Sequence, residues 1–125
     1  MDILFKKGIP GFNGYKEYEL KELEESSICK MLQCKEDPEL GLIIISPFEV
    51  EEDYEIKLSD ELIKKLEITS PEDVMLYTTV TLNSDINKIT TNLRAPIIIN
   101  INKGLGEQII VENESYKIKH PIIKG

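Results

Sequence analysis

Apolar and polar positions alternate most regularly from Val74 to Leu82. Val74, Leu76, Thr78, Val80 and Leu82 share one side, and Met75, Tyr77, Thr79 and Thr81 the other. A period of two is the period of a strand. Two continuous apolar runs, Leu42–Ile45 and Ile97–Ile99, are rich in β-branched residues and predict strands buried in the core. The stretch from Thr90 to Asn100 organises the rest. Pro96 cannot donate to a ladder, so it belongs at a strand start or an edge, and it pushes Ala95 away from the helical region. The block predicts a strand, a fixed bend and a second strand.

Weaker patterns fill the remainder. Asp2–Phe5 predicts a short edge strand, and Tyr15–Leu20 a half-exposed strand. Lys21–Ser27 predicts a charged turn, and Ile28–Cys34 the returning strand. Tyr54–Leu58, Gln108–Val111 and Tyr116–Ile118 predict further strands. Gly8–Gly14 and Asn102–Gly106 predict loops, Gly104-Leu105-Gly106 a hairpin turn within the second. One helix signal stands out. Ser59 can cap a helix whose first turn holds Asp60 and Glu61, with an apolar stripe of Leu62, Ile63 and Leu66. Many short strands, tight turns and one short helix predict an all-β fold. The expected architecture is a compact antiparallel Greek-key-like β-barrel or closed sandwich, because closure removes exposed edges.

Composition narrows the chemistry. The chain has 125 residues, 41% hydrophobic and 30% charged, which predicts a single domain over 1–125 with its own core. No run reaches transmembrane length and no leader pattern opens the chain, so the expected compartment is cytoplasmic. The net charge is −8, and Arg94 is the one Arg among 15 basic residues. Such a surface repels a phosphate backbone, which argues against direct nucleic-acid binding. A charged partner should therefore be basic, or bind through an apolar patch.

Candidate catalytic and metal-binding groups are few. His120 is the single histidine, and with Cys29 and Cys34 it makes at most three ligands, short of the four of a structural zinc site. Gly104-Leu105-Gly106 lacks the strand–helix context of a dinucleotide site. The acidic runs Glu22–Glu25 and Glu49–Asp53 read as solvated faces, the second also as a face for a basic partner. No enzyme activity, metal or cofactor is expected.

Motifs spread along the chain carry a family resemblance. They are Phe5-Lys6-Lys7-Gly8-Ile9-Pro10-Gly11-Phe12, Leu32–Leu40, Ser46-Pro47-Phe48, Tyr54–Leu58, Ser70–Val74 and Val80-Thr81-Leu82. The densest follow: Thr91-Asn92-Leu93-Arg94-Ala95-Pro96-Ile97, Asn100, Gly106-Glu107-Gln108, Tyr116 and His120-Pro121. In order and spacing the chain resembles the flagellar assembly factor FliW family. The resemblance implies a non-enzymatic cytoplasmic regulator with a β-barrel-like fold, monomeric when free. It also implies two partners, flagellin and the RNA-binding translational repressor CsrA. On that pattern the protein is occupied by flagellin until secretion drains it. It then captures CsrA and lifts repression of flagellin mRNA. Gly104 and Glu107 stand where the family commonly carries basic residues, so this loop is more acidic here. The expected partner-binding residues are Phe48, Glu51, Glu52 and Asp53 beside the Ser46-Pro47-Phe48 segment, with Asn92 and Arg94. The alternatives are a small-ligand-binding β-barrel, and a dedicated flagellin chaperone without a CsrA role.

Overall fold

The computed structural model describes residues 1–123. Nine strands form: β1 (Asp2–Leu4), β2 (Glu17–Leu23), β3 (Ser26–Cys34), β4 (Gly41–Ile45), β5 (Val74–Thr81), β6 (Thr90–Thr91), β7 (Ile97–Asn100), β8 (Leu105–Gln108) and β9 (His120–Pro121). Seven close into a ring in the order β4-β3-β2-β1-β8-β7-β5, with β5 returning to β4. The closing pairs are Ile44 with Thr79 and Ile45 with Thr78. Neighbours are antiparallel except β1 and β8, which run parallel and meet at Leu4 and Leu105. β6 pairs with the end of β5, and β9 with β6.

The run Ile97–Asn100 shows why a barrel forms. All four residues are buried. Ile97 and Ile99 point into the barrel, among Phe5, Tyr18, Leu32, Ile44 and Tyr77. Ile98 points outward, against Leu62 and Leu66. A strand covered on both faces reads as a continuous apolar run, as this one does. Each such isoleucine contributes about 1.5–3 kcal/mol of burial. The outer cover is the helix α1 (Asp60–Lys65). The Ser59 hydroxyl accepts from the Leu62 N–H at 3.1 Å, which fixes its start. Asn100, fully buried, donates its amide to the carbonyls of Leu66 and Glu67 at 2.7 and 3.2 Å, which fixes its end.

Several expectations need correction. Asp2–Leu4 is no edge strand, because β1 sits inside the ring between β2 and β8. The charged turn shrinks to Glu24-Glu25, since the strands run on through Leu23 and resume at Ser26. Leu105 and Gly106 belong to β8, not to a loop. Gly106 suits a strand there because a Cβ would lie 2.7 Å from the Phe5 ring. β8 therefore ends at Gln108, where a strand was expected to begin. Tyr54–Leu58 alternates but is irregular, and so is Tyr116–Ile118. These segments lie across the outside of the barrel. There the Tyr116 hydroxyl takes the place of a strand neighbour: it accepts from the Glu55 N–H at 2.8 Å and donates to the Glu55 carbonyl at 3.1 Å.

Candidate partner-binding surface

The barrel interior is filled. Phe5, Tyr18, Leu32 and Tyr77 are all buried there, and Phe5 meets Tyr18 edge-on at 5.3 Å. Recognition features lie outside. After β4, Ser46 leads into Pro47, whose fixed φ opens a single 3-10 turn through Glu49. Val50 and Tyr54 plunge into the outer core with Ile45 and Leu93. Phe48 is left at the rim, 48% exposed. Between this segment, the helix and the start of β5 runs an open groove of about 820 Å³. Phe48, Ile56, Leu58, Ile63, Ile68, Val74, Met75 and Leu76 line it, with Lys57, Ser46 and the Thr69-Ser70-Pro71 turn.

The expected site residues fall in two segments, which Tyr54 joins. Its hydroxyl donates to the Leu93 carbonyl at 2.7 Å. Its ring meets Phe48 at 6.1 Å and Tyr116 at 4.7 Å. Burial pushes the Tyr54 hydroxyl up to about 12, with the neighbouring Tyr116 adding to it. Glu52 and Asp53 are exposed and Glu51 is half-buried. Among the described residues none of the three is in an ion pair. They form an unneutralised acidic corner beside the groove.

Arg94 and Asn92 are turned toward their own chain. Arg94 donates from Nε to the Tyr116 carbonyl at 2.6 Å and from Nη2 to the Glu114 carbonyl at 3.1 Å. The Asn92 side-chain oxygen accepts from the Arg94 N–H at 2.9 Å. Both residues shape the bend before Pro96. The groove itself was not among the expected site residues, Phe48 apart. The sequence held no sign of it: Met75, 37% exposed beside the half-buried Val74 and Leu76, is recognisable as its wall only in the folded chain. Among the described residues no cluster of three or more His, Cys, Asp or Glu could hold a metal ion. None of the described helices is long and apolar enough to cross a membrane.

Fold and surface together define a small β-barrel protein with a filled interior and an apolar, acid-flanked groove on its outer wall. The family described as FliW protein matches residues 1–122. The flagellar assembly factor FliW of Clostridium botulinum (strain Alaska E43 / Type E3) is 57% identical over 122 residues, 98% of this chain and 86% of that protein. That of Clostridioides difficile (strain 630) is 44% identical over 125 residues, 100% of this chain and 96% of that protein. The crystal structure of a flagellar assembly factor FliW superposes with a TM-score of 0.91 at 40% identity, covering 99% of this chain and 86% of that one. The chain belongs to the FliW family.

Proposed function

We propose that this chain is a non-enzymatic cytoplasmic regulator of flagellar assembly. It binds flagellin, and when free of flagellin it binds and antagonises CsrA, so that flagellin mRNA is translated. The observation that carries this reading is the groove beneath Phe48 with unpaired carboxylates beside it. An amphipathic helix lays its apolar stripe into such a groove. Burying a few hundred Å² of apolar surface at about 25 cal/mol per Å² gives roughly 5–8 kcal/mol before costs. Association and ordering remove several kcal/mol of that, so the groove alone suits a contact weaker than micromolar. The acidic corner suits a basic protein, and a body of charge −8 held beside an RNA-binding surface repels phosphates. The filled interior speaks against a small ligand inside the barrel.

Calorimetric titration of the chain with purified flagellin and with purified CsrA tests the reading. Binding of both is expected. Replacing Phe48 with Ala should weaken flagellin about tenfold, the loss of one partly buried aromatic. Failure of either protein to bind retires the corresponding half of the proposal. Binding of flagellin alone leaves a dedicated chaperone.

A further inference from the structure

Beyond the end of β8 the chain stays extended. Ile109 donates its N–H to the Pro96 carbonyl at 3.0 Å, and Val111 donates to the Arg94 carbonyl at 2.7 Å. Successive backbone groups in an extended chain point to opposite sides. The N–H groups of Ile110 and Glu112 therefore face away from the Arg94–Pro96 segment, toward the side on which β8 meets β1 at Leu105. Neither has a hydrogen-bond partner among the described residues. Beyond the reach of β1, this edge is left unpaired among the described residues.

Natural edges are blunted by charge, proline or a bulge. This one centres on Ile110, which is 75% exposed. On its bonded side the same segment shares a concavity of about 480 Å³ with Arg94, Glu114 and Ile118. The edge is held firmly. Arg94 binds this segment with its backbone carbonyl at Val111 and its guanidinium at Glu114 and Tyr116. A prepared edge costs little ordering on binding. Glu112 and Glu114 are in no ion pair among the described residues.

We infer that the edge Gln108–Glu112 accepts an extended segment of a basic partner protein as an added strand. Backbone bonds to Ile110 and Glu112 would supply the affinity. The exposed Ile110 takes a β-branched or aliphatic side chain, and the two glutamates take flanking Lys or Arg. A second copy of this chain is the wrong occupant. Pairing two copies about Ile110 would bring together two bodies that each carry a charge of −8 and would leave Glu112 and Glu114 without basic partners. This surface is distinct from the groove under Phe48, and the inference does not rest on the function proposed for that groove.

Amide hydrogen exchange of the whole chain, read by NMR, tests this with three synthetic peptides. One alternates Lys and Val over seven residues, one alternates Glu and Val, and one is the Lys peptide with alternate amides N-methylated. The Lys peptide should slow exchange at Ile110 and Glu112 by about tenfold or more, while the other two leave both unchanged. Replacing Ile110 with Pro removes one donor and none of the chain's own bonds, and should abolish the protection. Ile110→Lys keeps the donor but repels the peptide, and should weaken it severalfold. Protection by the Glu peptide equal to that by the Lys peptide overturns the inference. So does protection confined to Phe48 and Met75, or none at all up to millimolar peptide.

Discussion

Tyr54 holds Leu93 by a single hydrogen bond, hydroxyl to carbonyl at 2.7 Å, and so ties the acidic loop to the bend before Pro96. The carbonyl belongs to a residue that is 1% exposed. Tyr54→Phe leaves it without a donor, at a cost of about 1–3 kcal/mol. Tyr116→Phe is the contrast. The Glu55 groups that Tyr116 serves are exposed, so water replaces its hydroxyl and the loss stays under about 1 kcal/mol. Urea unfolding of both variants measures the difference. Equal losses would show that the buried bond is not special. Tyr54→Phe should also speed amide exchange over 48–53.

Alkaline solution should destabilise the protein through its buried tyrosines. Burial pushes Tyr18 and Tyr54 from 10.0 up to about 12, and raises Tyr77 too. Below about pH 10 both folded and unfolded chains keep these protons, so the contribution is fully present. Above it the unfolded chain ionises first, and the contribution is lost as pH rises through the folded value of about 12. The urea midpoint should fall between about pH 10 and pH 12, less steeply in Tyr54→Phe than in the parent. Parallel curves would remove Tyr54 from the account.

Asn100 couples the core strand to the helix. Its amide reaches the carbonyls of Leu66 and Glu67, and its oxygen accepts from the N–H groups of Asn102 and Lys103 at 2.9 and 3.2 Å. Asn100→Asp keeps the oxygen's bonds but turns a carboxylate oxygen against the helix carbonyls. Losing the amide's bonds should cost about 1–3 kcal/mol per buried group left unpaired. The loss should shrink in acid, where the carboxyl protonates and one donor returns. Thermal unfolding at neutral and acid pH would sink the idea if Asn100→Asp matched the parent at both.

The sequence made some parts of this structure legible for identifiable reasons. The β-branched run Ile97–Ile99 predicts a buried strand and the Ser59 cap with Leu62 and Leu66 predicts a helix, and both form where expected. Such local chemistry does not depend on distant partners. The errors lie where a neighbour decides. Tyr54–Leu58 has strand periodicity, but β4 is already paired to β5 and the ring offers no vacancy there. Gly106 reads as a turn residue until the Phe5 ring is seen where its side chain would be. The groove was hidden for the same reason. Ile56, Ile63, Ile68 and Met75 come from four segments, and no spacing links them. Arg94 drew notice as the one arginine, yet its bonds to backbone carbonyls are visible only in three dimensions.

The two proposed partners should differ in their response to salt. Apolar burial in the groove is insensitive to moderate ionic strength, whereas exposed carboxylates act through a screened field. Raising salt from about 0.1 M to about 1 M shortens the Debye length from about 10 Å to about 3 Å. Glu52 and Asp53 are exposed and Glu51 is half-buried, so their attraction for a basic protein falls off within that range. Flagellin affinity should change less than about twofold over this span, and CsrA affinity more than about tenfold. Replacing Glu51, Glu52 and Asp53 together with Lys should slow CsrA association, because exposed charges act mainly on the encounter rate. The same triple change should leave flagellin affinity within about twofold, since none of the three side chains lines the groove. Tyr54 and Val50, which anchor the loop, are untouched, so the variant should fold. Titrations at both salt concentrations, with stopped-flow association rates for the triple variant, decide the matter. Equal salt slopes for the two partners, or a triple reversal silent toward both, would end the division between apolar and electrostatic recognition.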